Sequence, residues 1–118
     1  MASRPLWYPP VAITASTWLR QEIQQVQQHA GCDFDVTGSL PDGRKNARHR
    51  PMIIIGTDLV GRVRKPFYCG GIVVVAALTS DDRRAIDHAT RINAAHIVAL
   101  PHGRQWLAEK LLQIMDSR

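Results

Sequence analysis

The chain has 118 residues, 45% apolar and 21% charged, with a formal net charge of +5. That length and apolar share suit one domain with its own core, which excludes a disordered polyelectrolyte and a disulfide-stapled miniprotein. The longest apolar run, Ile72 to Leu78, has seven residues against the ~20 of a bilayer-spanning helix, so the sequence reads as soluble and cytoplasmic. Any membrane association is expected to come through partners. Cys32 and Cys69, with no secretory leader ahead of them, read as free thiols of a reducing compartment, and no Cys/His cluster offers a metal site.

In chain order, residues 1–10 form a tail ending in Pro9-Pro10, and the domain is expected over 11–118. Val11 to Thr14 is a short β-rich run. Ser16 or Thr17 then caps a helix whose Leu19, Ile23, Val26 and Ala30 fall on one face, with Gly31 as its stop. Cys32 to Val36 alternates and reads as a second strand, placed at a sheet edge by its two aspartates. Gly38 to Arg50, with Pro41, Asp42 and Gly43, reads as a loop with one weak helical turn. Met52 to Ile55 is a buried strand ended by Gly56, and Leu59 to Arg64 a short helix stopped by Pro66.

Gly70-Gly71 is a turn opening the strongest strand, Ile72 to Leu78. Thr79 to Asp82 has the pattern of a capping box, ahead of a helix with Ile86, Ala89 and Ile92 on its apolar side and Asn93 at its end. His96 to Leu100 is the fifth strand, closed by Pro101. The last helix, Arg104 to Met115, packs through Leu107, Leu111 and Ile114. Strands apolar on both faces belong to parallel sheets covered by helices. The expected fold is therefore α/β: a single doubly wound five-stranded parallel sheet of CheY/flavodoxin-like order 2-1-3-4-5.

In such a sheet, chemistry belongs at the carboxyl ends of strands 1, 3, 4 and 5. The plan resembles response-regulator receiver domains. Their site holds Mg²⁺ on an acidic pair after strand 1 and accepts a phosphoryl group on an aspartate ending strand 3. A Ser/Thr after strand 4 and a lysine after strand 5 complete it. Here Ala15 and Ser16 follow strand 1, Gly56 occupies the acceptor position, and Asp58 lies two residues late. Thr79 follows strand 4, and Leu100 stands where the lysine belongs. A divalent ion needs hard oxygen ligands and transferred phosphoryl charge needs a positive partner, so one carboxylate supplies neither. The expectation is a degenerate receiver that is not phosphorylated, with no catalytic residue, cofactor or metal.

Met52-Ile-Ile-Ile-Gly-Thr-Asp-Leu59, Gly71-Ile-Val-Val-Val-Ala-Ala77, Asn93-Ala-Ala-His-Ile-Val-Ala-Leu-Pro101 and Gln105-Trp-Leu-Ala-Glu-Lys-Leu111 resemble the N-terminal receiver-like domain of actinobacterial CpaE-like proteins. These are septum site-determining proteins of the MinD superfamily, associated with septum placement or with Tad-type pilus and secretion loci. The resemblance covers most of residues 11–115. It implies a non-catalytic module ahead of a MinD/CpaE-like ATPase domain in cis, with other cell-division or secretion proteins as further partners. These residues contain no GxxxxGKS/T phosphate loop, so ATP hydrolysis is not assigned to them.

The charge is confined to one segment. Between positions 42 and 65, Arg44, Lys45, Arg48, Arg50, Arg62, Arg64 and Lys65 face only Asp42 and Asp58, which accounts for the whole excess of +5. The ordinary reading is a solvated loop and helix face. The alternative is a nucleic-acid-binding domain with Arg44, Lys45, Arg48 and Arg50 on phosphates. Against single strands, no aromatic lies between 42 and 66, although Phe67-Tyr68 follows. As candidate interface residues the sequence offers Arg104 and Trp106 at the start of the last helix, with Arg62, Arg64 and Lys65 beside strand 3. Trp106 reads more often as core, or as a cap on the sheet end, than as an anchor, and Trp18 as a plug for the space an acidic cluster would fill. His96 and His102 read as structural or solvent-facing. The face of helix 4, strand 5 and helix 5, with Asp87, His88, Arg91, Glu109 and Lys110, is mixed in charge and suits a homodimer. A small flavodoxin-like enzyme would need an activated nucleophile or an acid–base pair, and neither is visible.

Overall fold

A computed structural model describes residues 8–77 and 83–116. Strands β1 (Val11–Ile13), β2 (Asp35–Thr37), β3 (Met52–Gly56), β4 (Ile72–Ala77) and β5 (His96–Ala99) form one sheet in the order β2-β1-β3-β4-β5. All four pairings are parallel, with Ile13 opposite Ile55, Ile55 opposite Val75, and Val75 opposite Ile97. This is the expected doubly wound sheet.

Both faces of the central strands are buried, and successive residues serve opposite faces. Met52, Ile54, Val74 and Ala76 point to one side. There they meet Leu19, Ile23 and Val26 of α1 (Thr17–Ala30) and Leu107 and Leu111 of α5 (Arg104–Asp116). Ile53, Ile55, Val73 and Val75 point to the other, against Leu59 and Val60 of α3 (Thr57–Val60) and Ala85 and Ala89 of α4 (Arg83–Arg91). Phe67 and Ile92 close that side.

Helix α1 forms between the expected signals. The Ser16 side chain accepts from the Leu19 N–H, and Gly31 ends the helix at φ 68°, which glycine adopts without strain. The segment 38–50 holds α2 (Leu40–Gly43) and a 3₁₀ turn over Ala47–His49, so it is more ordered than a loop with one weak turn.

Four local expectations are corrected. Strand β2 starts at Asp35, because β1 is only three residues long and Val11 already pairs with Asp35. Residues 32–34 are the lead-in, with Phe34 turned into the core. Helix α3 is one turn at Thr57–Val60, earlier than the expected 59–64, since Gly56 serves as its N-cap and Gly61 ends it. Ile86 is 53% exposed rather than core, because the buried stripe of α4 runs through Ala85, Ala89 and Ile92, one position off. Trp106 is 39% exposed, so it is not core. Leu78 and the capping pattern Thr79 to Asp82 lie outside the described residues.

Candidate functional site

The sheet order brings the β1–α1 and β3–α3 connections side by side at the carboxyl ends of β1 and β3. Asp58, in the first turn of α3, reaches back to the neighbouring connection. Its Oδ1 accepts from the Thr14 hydroxyl at 2.8 Å, and its Oδ2 accepts from the Ala15 N–H at 2.8 Å. Thr14 Oγ1 in turn accepts from the Ser16 N–H at 3.0 Å, and Ser16 Oγ caps α1. Asp58, Thr14, Ala15 and Ser16 thus form one hydrogen-bonded clasp between two loops. Thr14, 2% exposed, sits at its centre.

Gly56 explains how the clasp fits. A Cβ at this position would collide with Asp58 Oδ1 and stand 2.8 Å from Leu19 Cδ1 and 2.9 Å from Thr14 Oγ1. The Asp58 carboxylate therefore folds into the volume where a side chain at position 56 would begin. Ala15 and Ser16 contribute backbone N–H groups and a cap, not carboxylates. Leu100 is fully buried in the core, and the Leu100–Pro101 peptide is cis. Thr79 lies outside the described residues. Among the described residues, no group of three His, Cys, Asp or Glu side chains gathers to hold a metal ion. A divalent cation would find Asp58 already occupied on both oxygens and facing N–H and O–H donors, so these residues do not fit a receiver's metal cage.

The basic segment divides into structural and free cations. Arg50 is 5% exposed and donates to Lys45 O at 2.9 Å, Pro9 O, and Asp35 Oδ2 at 2.8 Å. It ties the start of β1, the 38–50 segment and β2 together, which rules it out as a phosphate contact. Arg44 donates to Lys65 O at 2.7 Å and Pro66 O at 3.1 Å, with its guanidinium 3.8 Å over the Phe67 ring. Lys45 pairs with Asp42 at 3.2 Å on the surface. Arg48, Arg62, Arg64 and Lys65 are exposed, and among the described residues their side chains pair with no carboxylate.

Arg104 is likewise engaged within the fold. Its guanidinium is forked onto both carboxylate oxygens of Glu22, which is 5% exposed, in the α1–α5 contact. Hydrogen bonding to Glu22 holds the guanidinium pKa above its ordinary value, and the partly exposed Arg104 supplies the counter-charge of a buried carboxylate. The sequence did carry a signal for this pair: Glu22 falls on the apolar stripe of α1 beside Leu19 and Ile23. Trp106 remains at the surface, with its ring edge-on to His96 at 5.0 Å between centroids. Ile97 on β5 and Ile86 on α4 are exposed as well. Burial pushes the Cys69 and Cys32 thiols above their usual pKa, so neither is an activated nucleophile.

A family model described as the Rv3660c-like, CheY-like N-terminal domain matches residues 13–118. No curated protein matches the chain in sequence. Among solved structures it is similar to a CheY-like response regulator receiver domain protein from Methanospirillum hungatei, with a TM-score of 0.62 and 11% identity over 95% of this chain and 96% of that one. It is also similar to HP1043, an orphan response regulator of H. pylori, with a TM-score of 0.59 and 19% identity over 96% and 99%. A CheY-like response regulator protein from Mesorhizobium loti gives a TM-score of 0.59 and 16% identity over 92% and 99%. Identities this low establish the shared fold and nothing finer.

Proposed function

Because this chain belongs to the Rv3660c-like, CheY-like N-terminal domain family, we propose that it is a pseudo-receiver: a receiver fold whose phosphorylation site has become a hydrogen-bonded clasp. It performs no chemistry of its own. In this reading it is the protein-interaction and localisation module of a CpaE/MinD-like septum site-determining or Tad-locus ATPase. The Asp58 clasp is the observation that carries the proposal. A receiver joins its β1 and β3 loops through a metal ion and a phosphoryl acceptor. Here Thr14, Ala15 and Asp58 join the same two loops directly. The join is permanent, and nothing in it needs a signal to form.

The exposed apolar side chains of the last strand and its helices support an interaction role. Ile86 on α4, Ile97 on β5 and Trp106 on α5 stand on the surface, and Trp is among the residues enriched at binding hot spots. Two measurements test the reading. Incubation with acetyl phosphate and Mg²⁺, followed by intact mass, is expected to leave the mass unchanged. A gain of one phosphoryl group refutes the pseudo-receiver. Titration of the labelled chain with a CpaE/MinD-like ATPase domain is expected to show binding that Trp106→Ala weakens, and no binding removes the interaction role.

A further inference from the structure

At the other end of the sheet, before β3 and β4 begin, the connections 44–49 and 66–68 enclose an open groove of about 460 Å³. Its lining includes Arg44, Asn46, Arg48, His49, Phe67 and Tyr68, and among the described residues no carboxylate lines it. The acids that pair with cations of this segment are engaged, Asp42 by Lys45 and Asp35 by Arg50. The groove is therefore positive without internal neutralisation, and its volume falls in the range of small-ligand sites.

Two features give it chemical specificity. The Arg44 guanidinium stands 3.8 Å over the Phe67 ring and donates to two backbone carbonyls, which positions it and leaves other N–H donors of its five for an anion. Tyr68 is 69% exposed and lines the same groove as Arg48, which is exposed and, among the described residues, pairs with no carboxylate. An exposed aromatic face next to fixed cations is the arrangement on which a base stacks while its phosphate is neutralised. In sequence, the aromatics lie outside the basic segment. The fold carries Phe67 back against Arg44, and Tyr68 into the lining of the same groove as Arg48.

We infer that this groove binds a nucleotide unit, with the base on Tyr68 and the phosphate between Arg48 and Arg44. The unit comes either from a free nucleotide or from single-stranded nucleic acid. The inference is independent of the pseudo-receiver reading, whose tests concern the opposite end of the sheet.

Fluorescence anisotropy of the 118-residue chain with a labelled oligothymidylate of ~8 nucleotides tests it, at ~50 and ~200 mM salt. AMP and an unlabelled duplex serve as competitors. Binding is expected to weaken about 5- to 150-fold in Tyr68→Ala and to persist in Tyr68→Phe, which keeps the stacking face. Arg48→Ala is expected to lower affinity and to reduce the salt slope by about 0.7. Circular dichroism melts confirm that each variant folds. Displacement by AMP assigns the site to free nucleotides, whereas strand binding that AMP does not displace assigns it to single strands. If neither oligonucleotide nor AMP binds at ~50 mM salt, the inference is overturned. It is also overturned if duplex and single strand bind equally and Tyr68→Ala changes nothing, because a diffuse cationic surface then suffices.

Discussion

Asp58→Ala separates a clasp from an acidic catalytic cluster by the sign of its effect on stability. Where carboxylates crowd a metal site, each repels its neighbours, so removing one relieves repulsion and stabilises the fold. Here the carboxylate accepts two hydrogen bonds of 2.8 Å, from Thr14 Oγ1 and Ala15 N. A hydrogen bond to a charged group contributes about 1.5–3 kcal/mol when shielded from water. Asp58 itself is exposed, so water replaces much of the Ala15 bond, but Thr14 is 2% exposed and its hydroxyl loses a partner that water reaches poorly. The expected loss is about 1.5–2.5 kcal/mol. With a urea slope of about 2 kcal/mol/M, the unfolding midpoint falls by about 1 M at unchanged slope. Thr14→Val removes the other end of the same bond, and combining it with Asp58→Ala should reveal about 1 kcal/mol of coupling. An unchanged or raised midpoint in Asp58→Ala would refute the clasp.

Further predictions concern the charges and the thiols. Arg50→Met is expected to cost about 2–4 kcal/mol in urea unfolding, because it orphans three acceptors around a buried guanidinium, whereas Arg48→Ala stays within about 0.5 kcal/mol. Equal effects would contradict this division of the basic segment. Arg104→Met is expected to lower the midpoint more than Glu22→Gln, since it leaves a carboxylate that is 5% exposed without its counter-charge, while the amide still accepts from Arg104. The reverse order contradicts that account of the α1–α5 contact. Burial raises the Cys69 thiol above its ordinary value of 9.0, so iodoacetamide at pH about 8.5 should react more slowly with the folded than with the unfolded chain. The sign follows from linkage: folding favours the protonated thiol, and that stabilisation is complete below the unfolded pKa and lost as pH rises through the folded one. Equal alkylation rates would contradict it.

The sheet order was legible because its cause is written locally. Met52 to Ile55 and Ile72 to Ala77 are apolar at every position, which only a strand covered on both faces tolerates. The residue identities at the strand ends, Ala15, Ser16, Gly56, Asp58 and Leu100, were legible because they are read directly. The contacts among them were not. Nothing in the spacing of Thr14 and Asp58, 44 residues apart, says that they touch. The parallel pairing of β1 with β3 creates that contact. Counting charge along the chain does not show which cations are already engaged. Arg50 and Arg104 look like surface cations until β2 and α1 bring Asp35 and Glu22 to them. Gly71 is similar: read as a turn, it also admits Pro51 O so closely that any Cβ would collide with that carbonyl.

The most direct test of the central claim is an amide-resonance titration of the chain with Mg²⁺ and beryllofluoride, a phosphoryl mimic. With Asp58 closed onto Thr14 and Ala15, the account predicts no saturable shift at residues 14–16 and 56–58. Saturable shifts centred there would mean that the clasp opens to hold a metal and a phosphoryl group, and the pseudo-receiver reading would be wrong.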